Sequence, residues 1–102
     1  DFINVRDVVQ ANMKAALATG VSGAFNLGSA GRITINHLVT LLREASGITP
    51  NVVHGPPRPG DVRHSLADIS AAREAFGFEP AVFLQEGLKE YMDWAKEEAI
   101  RS

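Results

Sequence analysis

The chain has 102 residues, 45% of them hydrophobic, with ten basic and twelve acidic side chains for a formal charge of −2, and no cysteine. That composition belongs to a globular domain, not to a disordered, collagen-like or coiled-coil chain, and a domain of this size buries only about 65% of its unfolded surface. The charge balance offers no general attraction to nucleic acid or acidic lipid; the missing cysteine excludes disulfides, thiolate catalysis and cysteine metal sites.

No apolar run exceeds four residues, so nothing in the sequence spans a membrane. A cytoplasmic protein is expected. The first residue, Asp1, stands inside what reads as a strand, so a fragment is expected. Residues 2–5 (Phe-Ile-Asn-Val) suit a partly buried strand. Asp7 then sits where an N-cap belongs, ahead of Val9, Met13, Ala16 and Leu17, an apolar helical stripe that Gly20 can end. A second strand, residues 24–27, runs into the small-residue turn Gly28-Ser29-Ala30-Gly31, and residues 32–34 leave it extended.

Thr34 caps the next helix, whose core face is Leu38, Leu41, Leu42 and Ala45, with Gly47 as its stop. Residues 51–54 follow as a short strand. Between Gly55 and His64, Pro56, Pro57 and Pro59 remove backbone donors and hold the chain extended. Asp68 caps a two-turn helix with Ile69, Ala72 and Phe76 inward, stopped by Gly77. A last helix runs from about Leu84 to Ile100, with Leu84, Leu88, Tyr91 and Ala95 on one face and Trp94 beside it; Glu86 and Arg101 both suit its dipole. The expected fold is α/β (α+β in isolation): a β-α-β-α-β-loop-α-α order, about four helices with three or four short strands, in a single partial domain over residues 1–102. So few strands leave sheet edges without shelter.

Many enzyme readings fail for lack of parts. No Gly-x-Gly-x-x-Gly or Walker loop is present to cradle a dinucleotide or triphosphate. His37, His54 and His64 lie 17 and 10 residues apart, without the spacing of a helical zinc pair, and no metal site is expected. The lone tyrosine, Tyr91, is followed four positions on by Ala95 rather than lysine. The serines sit in no nucleophile elbow. The chain holds no catalytic residue of its own.

One loop carries chemistry. Arg58, Asp61, Arg63 and His64 crowd a segment stiffened by proline, and a rigid loop loses less entropy when it closes on a ligand. Arginine offers a planar fork of donors matched to phosphate oxygens, and a nearby carboxylate can accept from sugar hydroxyls. Two readings fit: a phosphate-and-hydroxyl clamp, or a solvated turn in which Asp61 pairs with Arg63 for little energy.

The run Arg58-Pro-Gly-Asp-Val-Arg-His-Ser-Leu-Ala-Asp68, followed by Ala72-Arg73-Glu74, Gly77-Phe78-Glu79-Pro80 and Glu86-Gly87-Leu88, resembles the C-terminal end of the extended short-chain dehydrogenase/reductases. More narrowly it is similar to the NAD-dependent nucleotide-sugar epimerase/dehydratase family and its UDP-glucose 4-epimerase branch. The start, Asp1-Phe2-Ile3-Asn4-Val5 with Asp7-Val8-Val9, and Phe25-Asn26-Leu27-Gly28 agree with it. The resemblance implies a small nucleotide-sugar-binding part whose Rossmann domain is missing, so that NAD belongs to the full-length family and no cofactor binds this chain alone. It implies that Arg58 contacts the diphosphate of a UDP-sugar and Asp61 the ribose or its neighbours. Arg32 reaches a second phosphate, although the match slips there because Ala30 intervenes before Gly31. Arg63 orients the loop.

The resemblance further implies that a full-length relative oxidises a sugar carbon by hydride transfer to NAD, while this chain is inactive by itself. Phe83 stands where the family has a Ser or Thr cap for the last helix, at a cost of about 1 kcal/mol unless the ring packs as a staple. The alternative is a truncated, self-associating structural module without ligand, a homodimer formed through apolar surface and strand edges. No nucleic-acid or membrane partner is expected.

Overall fold

A helix needs its first amides satisfied, and Asn4 does this for the first one: its Oδ1 accepts from the amide of Arg6 at 2.9 Å. In the computed structural model, which describes residues 1–101, four helices follow in order: α1 (Val5–Leu17), α2 (Ile35–Ser46), α3 (Ser70–Phe76) and α4 (Leu84–Arg101). Thr34 Oγ1 accepts from His37 N–H to open α2, and Gly47, at φ +72°, ends it in left-handed geometry. Gly77, at φ +71°, ends α3 the same way.

The expected strands do not form. Among the described residues there is no strand, so the architecture is all-α rather than α/β with three or four strands. Residues 2–5 give way to α1 because Asn4 nucleates it one residue before Val5. Segments 24–27, 32–34 and 51–54 carry no sheet ladder. Among the described residues, backbone hydrogen bonds outside the helices join residues near in sequence. A strand needs a neighbouring edge to pair with, and among the described residues no two extended segments come into register.

The core is small. Ala11, Ile69, Ala72 and Phe78 are buried together, with Ile3, Phe25, Leu27, Ala67 and Phe76 packed around them. The rings of Phe25 and Phe76 meet edge to face at 5.4 Å, a favoured aromatic geometry. Phe78, fully buried at the centre, follows the helix stop and fell outside the helical pattern. The face of α2 expected to be inward does turn inward, with Leu41 buried, and it packs on α4. Lys96 Nζ on α4 donates to the carbonyl of Ser46 at the end of α2, at 2.9 Å.

Helix α1 turns the other way from the expectation. Its buried face carries Asp7 and Ala11, while Val9, Met13 and Leu17 are 55%, 62% and 80% exposed. The small Ala11 allows close approach to Ile69 and Phe78, so the bulky stripe is left outward. On α4 the half-buried line is Leu84, Leu88, Met92 and Ala95, and Tyr91 and Trp94 point out, their rings 5.7 Å apart.

The radius of gyration is 16.7 Å, against about 13 Å for a compact chain of this length. The accessible surface is 7894 Å², against roughly 5,600 Å² for a compact monomer of this mass. The chain therefore exposes surface of a kind that folded domains usually cover. Among the described residues no helix is long and apolar enough to cross a membrane.

Candidate functional site

Asp1 fastens the walls of the candidate site. Its Oδ1 accepts from the amide and hydroxyl of Ser29, at 2.8 and 2.6 Å, and its Oδ2 accepts from the amide of Ala67 at 3.1 Å. Gly28 makes this approach feasible: a Cβ there would lie 2.5 Å from Asp1 Oδ2 and 2.8 Å from the Ala67 methyl. The turn that follows passes through Ala30 at φ 60°, a left-handed position, and Ser29 Oγ accepts from the amide of Gly31 at 3.3 Å. The turn thus delivers Arg32 between two cavities.

The larger cavity, about 630 Å³, lies between residues 32–35 and 62–65, with Phe2, Arg32, Ile35, Val62, Arg63 and His64 in its lining. A volume of this order suits a small organic ligand. It also meets the start of α2 at Thr34 and Ile35, the positive end of that helix. The smaller cavity, about 470 Å³, shares Phe2, Arg32 and Ile33; Leu41, Val82 and Phe83 are among its apolar lining, and Ser29, His37, Glu44 and Gln85 among its polar lining.

Of the residues expected at the site, Arg32 lines both cavities. Arg58 and Asp61 line neither. They bracket an exposed turn in which the amide of Asp61 donates to the carbonyl of Arg58 at 3.2 Å and Gly60 sits at φ +85°. The same loop brings Arg63 and His64, two residues further on, to the larger cavity. Sequence reasoning gave Arg63 only a supporting part; its clustering with Arg58 was the available signal, but the turn at Gly60 decides which residue meets the cavity.

Outside the cavities, the Asp68 carboxyl is held below the ordinary carboxylate range by hydrogen bonds from the Ser70 hydroxyl and amide. The Arg73 guanidinium is raised by its bond to Glu79. His54 Nε2 and Asn36 Oδ1 lie 2.8 Å apart. Among the described residues no three His, Asp or Glu side chains are grouped to hold a metal ion. Gly28-Ser29-Ala30-Gly31 lacks the glycine spacing of a dinucleotide loop, and Arg32 and Ile33 separate it from the helix end that would meet a pyrophosphate.

No family model matches the chain. It is 34% identical over 94 residues to the UDP-glucose 4-epimerase of Mycolicibacterium smegmatis, which covers 92% of this chain and 30% of that protein. Its fold superposes on the crystal structure of UDP-glucose 4-epimerase with UDP-glucose from Thermotoga maritima with a TM-score of 0.89, at 40% identity over 97% of this chain and 32% of the other. It is also similar to MoeE5 in complex with UDP-glucose and NAD, with a TM-score of 0.88, at 33% identity over 97% of this chain and 33% of that one. The chain thus spans about a third of the length of these relatives.

Proposed function

The chain belongs to the nucleotide-sugar epimerase family that includes the UDP-glucose 4-epimerases, and from that premise we propose that residues 1–102 form its nucleotide-sugar-binding region. The observation that carries this reading is the larger cavity, bordered by Arg32 and by the proline-stiffened loop that also holds Arg58 and Asp61. The ligand is a UDP-hexose. In this reading Arg58 closes on the diphosphate from its exposed turn, Arg32 meets a phosphate from the cavity wall, and Asp61 accepts from ribose hydroxyls. Guanidinium groups keep their charge throughout and suit this task. NAD and the acid/base residues belong to the remaining two thirds of the family's length, and the chain by itself turns over nothing. Its contribution is to fix the nucleotide handle, because binding energy far from the reacting carbon supports the chemistry there. The same reading places it in the cytoplasm.

The test is calorimetric titration of the chain with UDP-glucose, with AMP and inorganic phosphate as controls, beside Arg58→Ala. Saturable heat with UDP-glucose, lost in the variant, is the expected result.

The exposed stripe Val9, Met13 and Leu17 favours a second reading, in which two copies of the chain associate through α1. Sedimentation tests it: a concentration-dependent dimer that reverts to monomer in Val9→Lys/Met13→Lys supports the homodimer, and a monomer at every concentration removes it.

A further inference from the structure

We propose that the smaller cavity binds a short zwitterionic peptide of two or three residues with an apolar side chain, its free carboxylate at Arg32 and its free ammonium at Glu44. The site is separate from the larger cavity, and the nucleotide-sugar reading stands or falls without it.

The charges of the lining carry the first argument. His37, Leu41 and Glu44 recur at i, i+4 and i+7, so one face of α2 runs along the cavity. Arg32 precedes the Thr34 cap at one end of that face, and Glu44 lies near the other. About 15 Å of helix axis separates the cap from Glu44. Arg32 and Glu44 thus carry opposite charge on one cavity without pairing with each other. Among the described residues neither side chain takes part in an ion pair or hydrogen bond, whereas Arg6, Arg73 and Arg101 each hold a glutamate. A ligand charged at one end alone leaves the other residue unanswered, and a free amino acid carries its two charges too close together to meet both. An extended tripeptide spans about 10 Å between its termini. Between the charged ends, His37 and Gln85 offer partners for peptide N–H and C=O groups. A cavity of about 470 Å³ is of the size that takes small organic ligands.

Phe83 supplies the second argument. It stands where the family resemblance expects a Ser or Thr cap for α4, and its exposed ring lines this cavity. The chain thus gives up a cap oxygen there for a large ring that the fold leaves bare. Exposed Phe2 and half-buried Val82 border the same space. An apolar side chain between the charged ends of a ligand covers these groups and removes them from water. A Ser or Thr at that position carries no ring, so the site belongs to this chain rather than to the resemblance.

The experiment is an NMR titration of the isotope-labelled chain with Ala-Leu-Ala, with its N-acetyl and C-terminal amide forms, and with Ala-Gly-Ala. The proteins are the parent, Arg32→Gln, Glu44→Gln and Phe83→Ser, with circular dichroism to establish that each keeps its helices. Loss of a hydrogen bond to a charged group lowers affinity by roughly tenfold to a hundredfold. In the parent, amidation or acetylation is therefore expected to weaken Ala-Leu-Ala by about tenfold or more, with the shifted amides centred on Leu41 and Phe83. Amidation is expected to cost nothing further in Arg32→Gln, and acetylation nothing further in Glu44→Gln. Phe83→Ser, which supplies a cap oxygen, is expected to bring Ala-Leu-Ala down toward the affinity of Ala-Gly-Ala. That loss in a chain at least as stable as the parent upholds the apolar contact. Binding indifferent to both blocking groups, blocking effects equal in the parent and the two charge variants, or no binding at millimolar peptide overturns the proposal.

Discussion

The carboxylate of Asp7 is tied to the backbone of Val82, 75 residues away: Oδ2 accepts from the Val82 amide at 3.1 Å while Oδ1 accepts from its neighbour Ala81 at 3.0 Å. Asp7 is 2% exposed. A buried carboxylate is costly unless its oxygens are satisfied, and these two amides satisfy it just ahead of α4. One side chain on α1 thereby fixes where the last helix starts, and with it the wall of the smaller cavity at Val82 and Phe83.

Asp7→Ala leaves both amides without an acceptor in a partly buried place. The expected loss is about 2–4 kcal/mol, from two hydrogen bonds to a charged group. Asp7→Asn, which keeps one acceptor, is expected to lose less. Urea unfolding followed by far-UV circular dichroism measures both. Equal stability of parent and Asp7→Ala would remove the tether from the account.

Phe83 gives a prediction of opposite sign. Its ring is 77% exposed, so it forms no hydrophobic staple, and it stands at the start of α4, where the amide of Gly87 donates to its carbonyl. Phe83→Ser supplies an oxygen for the unsatisfied amides of the first turn and removes little packing. A stability gain of about 0.5–1 kcal/mol is expected. A loss in thermal unfolding would show that the ring is held by contacts this fold does not display.

All four helices and most of their ends were legible in the sequence, because their signals are local. Thr34, Gly47 and Gly77 act through amides and carbonyls within one turn of themselves. Even the inward face of α2 followed from spacing alone. The strands were misread because alternation and β-branched residues report a chain that can be extended, whereas pairing depends on a partner edge elsewhere. Phe25 and Leu27 pack on the core without any ladder, and residues 51–54 are exposed throughout. The start of α1 was misread because Asn4 and Asp7 are both good caps, and the choice between them depends on amides more than 70 residues away. At the candidate site, Arg32 was taken from the family resemblance, and the fold places it in the lining of both cavities. The division of the loop at Gly60, with Arg58 outside and Arg63 on the cavity, is a matter of one left-handed residue.

Asp68 sets a pH dependence. Bonds from the Ser70 hydroxyl and amide hold its carboxyl below the ordinary range in the folded chain. A folded value below the unfolded one means that the contribution is fully present above the unfolded pKa. It is lost as pH falls through the folded value. Stability of the parent is therefore expected to decline at acid pH more steeply than that of Asp68→Asn, the difference closing below both values. Parallel acid limbs for the two proteins in thermal melts would contradict the role of Ser70.

The most direct test of the central claim is the titration of the chain with UDP-glucose beside Arg58→Ala. The account predicts saturable heat with UDP-glucose, little with AMP or inorganic phosphate at the same concentration, and loss of that heat in the variant. The absence of heat at millimolar UDP-glucose, or binding untouched by Arg58→Ala and equalled by AMP, would contradict it.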